Sequence, residues 1–236
     1  MLRKILVLFA VLFLSFPLLA QLTMPPDGGN KKASVSERIG ITDVTINYDR
    51  PGVKGREGKI WNGLVHTGFK DLGFGTSRSA PWRAGANENT TIKFTTDVKV
   101  EGKEIKAGIY GFFVAMGTGD ATLIFSNLNS AWGSFFYDST KDALRVIVKT
   151  VSLSESVERL KYEFSNETEN GATISLCWEK LKIPFNVEVD YVKTQMQSFK
   201  NELMGEKGLK PEAWQQAAQF AADHNVNLEE ALQWID

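Results

Sequence analysis

Apolar and polar residues alternate along most of the chain, and this alternation constrains the fold more than any other feature. The alternating segments are Val44–Tyr48, Tyr110–Met116, Leu144–Val148, Leu160–Phe164, Ala172–Trp178 and Ile183–Val189. A period of two places successive side chains on opposite faces of a β-strand. Short turns separate several segments, as at Glu101–Lys103 and Glu169–Gly171. Many short strands with little helix between them predict a mainly β domain, an antiparallel sandwich or a barrel-like domain.

The period changes at Asp190, where a C-terminal α-helical tail is predicted. The apolar face of its first helix consists of Val192, Met196, Phe199 and Leu203. These positions share one side of a helix, and Asp190 is a suitable N-cap. A second helix is predicted from Pro211, because proline suits the first helical turn. We therefore expect residues 190–236 to be helical.

The helices after Pro211 resemble one hairpin of a helical repeat. Small residues mark the expected crossing of the two helices, and Asn227 with Glu230 resembles a capping box for the last one. The predicted buried side of that last helix is Leu228, Ala231, Leu232 and Ile235. A single repeat cannot bury its own apolar face. The tail is therefore expected either to pack on the β-domain, which we favour, or to dock on a partner.

The first 20 residues have the features of a cleaved signal peptide. Arg3 and Lys4 precede an apolar run from Ile5 to Phe16, and Ala20 is a small residue before the expected cleavage site. The run is shorter than the roughly 20 apolar residues of a membrane-spanning helix, although an uncleaved anchor is the alternative. We predict an exported, periplasmic or extracellular protein. A flexible lead-in over residues 21–32 and a β-sandwich domain over residues 33–189 are expected to follow, with no transmembrane segment after cleavage.

Charge and cysteine content exclude several classes of protein. The chain has 27 basic and 28 acidic side chains, so it lacks the basic excess of a nucleic-acid-binding protein. Its one cysteine, Cys177, provides no intramolecular disulfide and lies in a strand-like run. The predicted domain must therefore be stabilised by burial of apolar side chains.

No familiar catalytic, cofactor or metal motif is present. The two histidines, His66 and His224, lie far apart, and with one cysteine they do not provide the ligands of a usual zinc site. His66 is expected to be an exposed loop residue and His224 to lie at a helix end. No nucleophile elbow or phosphate-binding loop occurs. We therefore expect no cofactor and no metal, and the sequence leaves the catalytic residues, if any, unknown.

A group of aromatic and charged residues in predicted loops is the candidate ligand-binding site. Its members are Trp82, Arg83, Asn87, Glu88, Trp61, Arg50 and Trp132. An aromatic ring can cover the apolar face of a ligand while nearby polar groups fix its orientation. In the purely structural interpretation, Arg83 and Glu88 pair with each other or cap loop carbonyl groups, and Trp82 closes one end of the sandwich.

Several segments resemble the domain of unknown function 2911 family. They are Lys32–Ser36, Arg50–Pro51, Lys54–Arg56, Trp82–Glu88, Ala107–Tyr110 and Trp132–Gly133. The resemblance covers about residues 30–190, and its most specific part is Trp82–Glu88. It implies an exported bacterial protein, often with a helical-repeat tail, but no known reaction, cofactor or catalytic residue. The connection from His66 to Pro81 is longer than is usual for the family.

Three functions remain open from the sequence. The first is a non-enzymatic exported module that binds an envelope or extracellular ligand, a carbohydrate or a protein. The second is a glycan-directed hydrolase that uses Glu88 and a second carboxylate. The third is a structural or assembly module, which predicts no cavity of ligand size, about 300 Å³ or more, beside the Trp-Arg-Glu loop.

Overall fold

The structure is a computed structural model that describes residues 29–235. The predicted signal peptide and most of the predicted lead-in lie outside these residues. The strands are β1 (Lys31–Ile39), β2 (Thr42–Arg50), β3 (Thr91–Phe94), β4 (Val98–Val100), β5 (Lys103–Ile105), β6 (Gly108–Met116), β7 (Asp120–Ser126), β8 (Asp142–Lys149), β9 (Val151–Thr168) and β10 (Gly171–Glu188). The first strand thus begins two residues before the predicted start of the sandwich.

The strands form two antiparallel sheets. One has the order β1-β2-β3-β6-β7-β8, and the other has the order β5-β4-β10-β9. Every strand pair is antiparallel. Register shifts interrupt the long β9–β10 hairpin on either side of Glu179. The mainly β, antiparallel prediction is confirmed, and of the two predicted architectures the sandwich is the one formed.

The main core lies between the sheets. Phe112 of the six-stranded sheet packs against Phe185 of the four-stranded sheet, with ring centroids 5.6 Å apart. Phe125 also faces Phe185, at 6.3 Å. Leu160 and Trp178 complete this layer and are buried. The period-two pattern of the sequence therefore has a direct physical cause, since alternate residues enter one shared core.

Strand β6 departs from simple alternation because both of its faces are covered. Phe112 enters the main core, whereas Phe113 belongs to a second apolar cluster with Ala115, Ile124 and Tyr137. Tyr137 also packs against Phe69 of the long 66–81 connection, with ring centroids 6.4 Å apart. This unusually long connection thus packs over the second face of the sheet.

The helical tail is formed by α1 (Tyr191–Leu203), α2 (Pro211–Asp223) and α3 (Leu228–Ile235). Asp190 caps α1, because its carboxylate accepts a hydrogen bond from the Lys193 amide at 3.0 Å. Tyr191 packs against the sandwich core and against Phe220 of α2, with the two rings 5.7 Å apart. Most other buried side chains of the tail form a cluster of their own.

The predicted buried side of α3 is largely wrong. Ala231 is buried, but Leu228, Leu232 and Ile235 are 44%, 59% and 56% exposed. The helix turns Ala231 and Trp234 toward its neighbours, and no further helical layer in the described chain covers the opposite side. Asn227 has a left-handed backbone, and its side chain donates to the Glu230 carboxylate at 3.0 Å, which differs from a capping box. Within residues 29–235, no helix combines the length and apolar character that crossing a bilayer requires.

Candidate functional site

The segment Trp82–Glu88 crosses the end of the sandwich between two strands. Trp82 is held to β6 by two backbone hydrogen bonds with Val114, of 2.9 and 2.8 Å. Two non-glycine residues that follow, Ala84 and Asn87, have left-handed backbones with φ of 50° and 55°. Such conformations persist where the surroundings enforce them, and they cluster at functional sites. Here the Ala84 carbonyl accepts a hydrogen bond of 2.7 Å from the Tyr162 hydroxyl.

Gly85 brings this loop close to strand β2. A Cβ atom at this position would lie 2.7 Å from Thr90 Oγ1 and 3.2 Å from the Asp49 carbonyl oxygen. Both distances are shorter than ordinary contacts, so a larger residue would push the loop away from the strand. The absence of a side chain at Gly85 therefore places Asn87 and Glu88 beside Asp49.

A cleft of about 740 Å³ opens where the loop, β1 and β2 meet. We call it the carboxyl cleft; its walls are formed by Lys32, Ala33, Ser34, Asn47, Tyr48, Asp49, Glu88, Asn89 and residues 129–132. Its volume is within the range of small-molecule sites and exceeds the 300 Å³ that separates a ligand site from a merely structural surface. A purely structural module does not predict this feature.

Asp49 and Glu88 both line this cleft and lie close enough to affect each other's pKa. Burial raises the pKa of Asp49 above its ordinary value, and the neighbouring Glu88 raises it further, although the hydrogen bond from the Asn87 amide acts against this. The hydrogen bond from Lys32 lowers the pKa of Glu88, with the Asp49 contact as a smaller cause in the same direction. The surroundings therefore favour the protonated form of Asp49 and the charged form of Glu88 relative to the free side chains.

Three further side chains complete the carboxyl cleft. Lys32 donates to Glu88 Oε1 at 2.9 Å. Trp132 is 53% exposed, so one face of its indole is available to a ligand. Asn89 donates to the Leu128 carbonyl at 3.0 Å, while its side-chain oxygen is buried without a hydrogen-bond partner among the described residues. The cleft thus combines an aromatic surface with several hydrogen-bond acceptors.

Three tryptophans meet behind the same loop. Trp82 stacks on Trp178 with ring centroids 6.1 Å apart and an interplanar angle of 17°. Trp61 packs edge-on against both, at 5.7 Å from Trp82 and 5.9 Å from Trp178. Trp82 is 8% exposed, so it closes this end of the sandwich as the structural interpretation predicts.

Arg83 does not pair with Glu88 but caps a loop carbonyl group, which is the other contact that the structural interpretation predicts. It donates to the backbone carbonyl of Asn87 at 2.7 Å, and its guanidinium group lies 4.8 Å from the centroid of the Phe135 ring. Gly133 makes room for it, because a Cβ atom there would lie 2.2 Å from Arg83 Cζ. Burial lowers the pKa of Arg83. No carboxylate among the described residues forms a salt bridge with it.

The structure brings together most of the site residues predicted from the sequence. Glu88 and Trp132 line the carboxyl cleft, and Trp82, Arg83 and Asn87 line a neighbouring cavity. Trp61 lies behind that cavity in the tryptophan cluster. Arg50 lies apart from both, since its guanidinium donates to the Leu160 carbonyl at 2.8 Å and ties β2 to β9.

Sequence reasoning missed several residues of these two cavities. Lys32 belongs only to a family segment, Asp49 belongs to none, and the strand positions of the two residues give no signal that they meet Glu88. His66 was expected to be exposed; instead it is half-buried, lines the second cavity and has a buried, unpartnered Nδ1 atom. Its position in a glycine-rich loop concealed this, because such a loop has no periodicity from which burial can be predicted.

The remaining reactive groups of the described chain are inert or dispersed. Cys177 is buried, and burial raises the pKa of its thiol to about 11. His224 lies at the end of α2 and stacks on Phe220, with ring centroids 4.1 Å apart. Within residues 29–235, no three or more His, Cys, Asp or Glu side chains are grouped in a way that would hold a metal ion.

Comparison with known proteins gives one match. The family model DUF2911, described as a protein of unknown function, matches residues 30–187. No curated protein and no solved structure matches the chain. The match includes both cavities and all of the sandwich except its last residue. Since it covers well over half of the 236 residues, the chain belongs to the DUF2911 family of proteins of unknown function.

Proposed function

We propose that this protein is an exported binding protein that takes a carbohydrate in the carboxyl cleft. The observation that carries the proposal is a cleft of about 740 Å³ that combines an exposed indole with two carboxyl groups, those of Asp49 and Glu88. A cleft of this size with a few convergent polar groups is typical of a small-molecule site.

The chemistry of the cleft favours a ligand with many hydroxyl groups. Glu88 and the side-chain oxygen of Asn89 accept hydrogen bonds, and Lys32 donates them. The exposed face of Trp132 can pack against the apolar face of a sugar ring, as aromatic side chains do at amphipathic surfaces. The site offers both donors and acceptors on one side and an apolar surface on the other, which matches the two faces of a pyranose.

The sequence supports an extracytoplasmic location for this binding. The signal-peptide features of the first 20 residues predict export, so envelope and extracellular glycans are the expected source of the ligand. Fractionation of the native host checks this part separately. A full-length protein that stays in the cytoplasmic fraction with its leader intact contradicts it.

A glycan array followed by isothermal titration calorimetry tests the binding proposal. We expect Trp132→Ala and Glu88→Gln to weaken binding of the selected glycan by about tenfold or more, as for central contacts of a binding site. Ile147→Ala and Glu167→Gln are matched controls, since both residues are exposed and lie outside the cleft. If the cleft variants bind every array glycan as the controls do, the cleft is not the carbohydrate site.

Acid–base catalysis in the same cleft is a second candidate function, favoured by one observation. The second carboxylate required by the hydrolase hypothesis is Asp49, and its pKa is raised as expected of a proton donor. The pKa values of Asp49 and Glu88 are shifted in opposite directions, and such a pair of carboxyl groups can divide the roles of acid and base.

Hydrolysis of the bound glycan separates the two functions. If the protein is an enzyme, products accumulate with the wild type and Asp49→Asn abolishes them while leaving binding intact. A bound glycan that is recovered unchanged after long incubation leaves binding as the function.

A further inference from the structure

A second cavity lies beside the carboxyl cleft and is lined by other residues of the same loop. It has a volume of about 340 Å³, and none of its lining residues lines the carboxyl cleft. We call it the arginine pocket; the residues that give it its chemical character are Arg56, His66, Trp82, Arg83, Ser134 and Trp178. Its volume suits a small ligand or one end of a larger one.

Both arginines of the pocket are held by backbone carbonyl groups. Arg56 donates from Nε to the Val53 carbonyl at 2.9 Å and from Nη2 to the Gly52 carbonyl at 2.7 Å. Arg83 uses Nη1 for the Asn87 carbonyl and has no other hydrogen bond within the described chain. Since a guanidinium group has five N–H donors, each arginine retains N–H groups for a ligand.

Two further polar atoms of the pocket residues lack partners. His66 Nδ1 and Trp178 Nε1 are buried, and neither has a hydrogen-bond partner in the part of the chain that the structure describes. An indole N–H can only donate, and an imidazole nitrogen donates in one tautomer or when protonated. A buried donor without an acceptor costs free energy, so such atoms are usually satisfied by water or a ligand.

The charge of the pocket is unbalanced. No Asp or Glu residue is among those that line it, whereas two arginines are. Asp49 contacts its edge only indirectly, by accepting a hydrogen bond of 3.1 Å from the Asn87 side chain. A half-buried guanidinium without a counter-ion is unfavourable, and an anion that reached it would restore both its charge balance and its hydrogen bonds.

We propose that the arginine pocket binds an oxyanion group, a carboxylate or a phosphate, between Arg83 and Arg56. The planar fork of Arg83 suits the two oxygens of such a group, and its stacking on Phe135 fixes the plane of the fork. Trp178 and His66 supply further donors. This site is separate from the carbohydrate site in the carboxyl cleft and does not depend on it.

The six indole N–H signals of the ¹⁵N-labelled full chain provide a direct test. The chain is titrated with sodium phosphate and, separately, with sodium acetate, against sodium chloride at matched ionic strength. We expect a saturable shift of the Trp178 indole signal with at least one oxyanion and none with chloride. Trp214 and Trp234 of the tail are internal controls, since neither lines the pocket. The two salts distinguish a phosphate site from a carboxylate site.

Substitutions assign the shift to the pocket. We expect Arg83→Gln to abolish it and Arg83→Lys, which keeps the charge but loses the fork, to weaken binding by about tenfold. Arg38→Gln is the matched control, because Arg38 is exposed and paired with Asp43 on the first strands.

Two results overturn the proposal. The first is the absence of a saturable Trp178 shift with both phosphate and acetate in the wild-type chain, or an equal shift with chloride. The second is a shift of unchanged affinity in a folded Arg83 variant. The wild-type titration decides the question even if both Arg83 variants fail to fold.

Discussion

At the scale of single residues, Asp49 and Arg83 are both placed where they do not favour stability. Asp49 is buried beside another carboxyl group, and Arg83 is half-buried without a carboxylate partner among the described residues. Buried charged groups are usually paired with a group of opposite charge, and both arrangements depart from that rule. Both residues lie within or against the Trp82–Glu88 loop, which carries two left-handed residues of its own. We infer that this loop is shaped by ligand binding more than by stability.

Asp49→Asn is expected to stabilise the protein at neutral pH. The pKa of Asp49 is raised on folding, so the folded state binds its proton more tightly and wild-type stability falls as pH rises from 3.8 through the folded value. The variant has no such loss, and its amide can still accept from Asn87 and donate to Glu88. We expect a gain of about 1 kcal/mol at pH 7, the size of one hydrogen-bond contribution.

Urea unfolding at pH 3 and pH 7 measures this effect. The difference between variant and wild type should be small at pH 3, where both side chains are neutral, and should grow toward pH 7. Glu88 contributes in the opposite sense, because its lowered pKa adds stability that is lost on acidification. A variant less stable than wild type at pH 7 contradicts the raised pKa of Asp49.

Gly133→Ala tests how tightly Arg83 is held. Gly133 has φ of 60°, and a Cβ atom would collide with the Arg83 guanidinium group. We expect a loss of about 2–4 kcal/mol of unfolding free energy, from backbone strain together with overpacking. Gly119→Ala is the matched control, since Gly119 has φ of 76° with nothing near its Cβ position, so only the strain of about 1 kcal/mol applies.

Chemical denaturation of the two glycine variants gives the comparison. The excess loss in Gly133→Ala over Gly119→Ala measures the contact with Arg83. Equal losses in the two variants mean that the guanidinium group moves aside freely, and that it is not held in place for a ligand.

At the scale of elements, the strands were predictable and the contacts between loops were not. The segment Ala172–Trp178 alternates because its apolar residues face one core, which is a local property of the sequence. The meeting of Asp49 with Glu88 depends instead on the way β2 and the loop after Trp82 converge, across 39 positions of the chain. No local pattern encodes such a contact.

In the helices, too, local features were predictable from the sequence and packing between elements was not. The N-cap at Asp190 and the start at Pro211 follow from local chemistry and are confirmed. The buried side of α3 was misjudged, because periodicity identifies an apolar face but not whether another element covers it. Leu232 is on that face and remains 59% exposed.

Ala221→Leu is expected to disrupt the tail without affecting the sandwich. Ala221 is fully buried where the helices meet, in a cluster separate from the main core. An added isobutyl group there should overpack the crossing and cost about 1–3 kcal/mol. Hydrogen exchange followed by mass spectrometry should show faster exchange over residues 191–235 and unchanged exchange in β6 and β10.

Ala222→Leu is the control for this substitution, because the neighbouring Ala222 is exposed. It should leave exchange in the tail nearly unchanged. If Ala221→Leu speeds exchange in β6 and β10 as well, the tail and the sandwich unfold as one unit.

At the scale of the whole molecule, the described chain has two main apolar interiors joined at Tyr191. The sandwich holds most of the large buried side chains, whereas the tail core consists mainly of alanines with Met196. Burial of small side chains contributes less free energy than burial of large ones. The tail is therefore expected to be the first part to open, and the sandwich to set the global stability.

Cys177 provides a probe of global opening. It lies in β10 on the face opposite the core residue Trp178, beside Glu163; it is 2% exposed, and burial raises the pKa of its thiol to about 11. A thiol in this state reacts only when the sandwich unfolds, because the thiolate is the reactive form. We expect labelling by an aromatic disulfide reagent at pH 8 to be slow, with a rate that follows the global unfolding equilibrium.

The Ala221→Leu variant separates global from local opening in this assay. Its labelling rate at Cys177 should equal that of the wild type even though its tail exchanges faster. Rapid labelling of the native wild-type chain contradicts the protection of Cys177 by the folded sheet.

Asn87 connects the two cavities, and this has a thermodynamic consequence. Its backbone carbonyl accepts the hydrogen bond from Arg83, and its side chain donates to Asp49. An anion that draws the Arg83 guanidinium toward itself therefore acts on the residue whose hydrogen bond lowers the pKa of Asp49. We expect occupancy of one cavity to change affinity in the other, and linkage requires the factor to be the same in both directions. The loop would then bind its two ligands cooperatively or anticooperatively, with Asn87 as the residue through which the two sites interact.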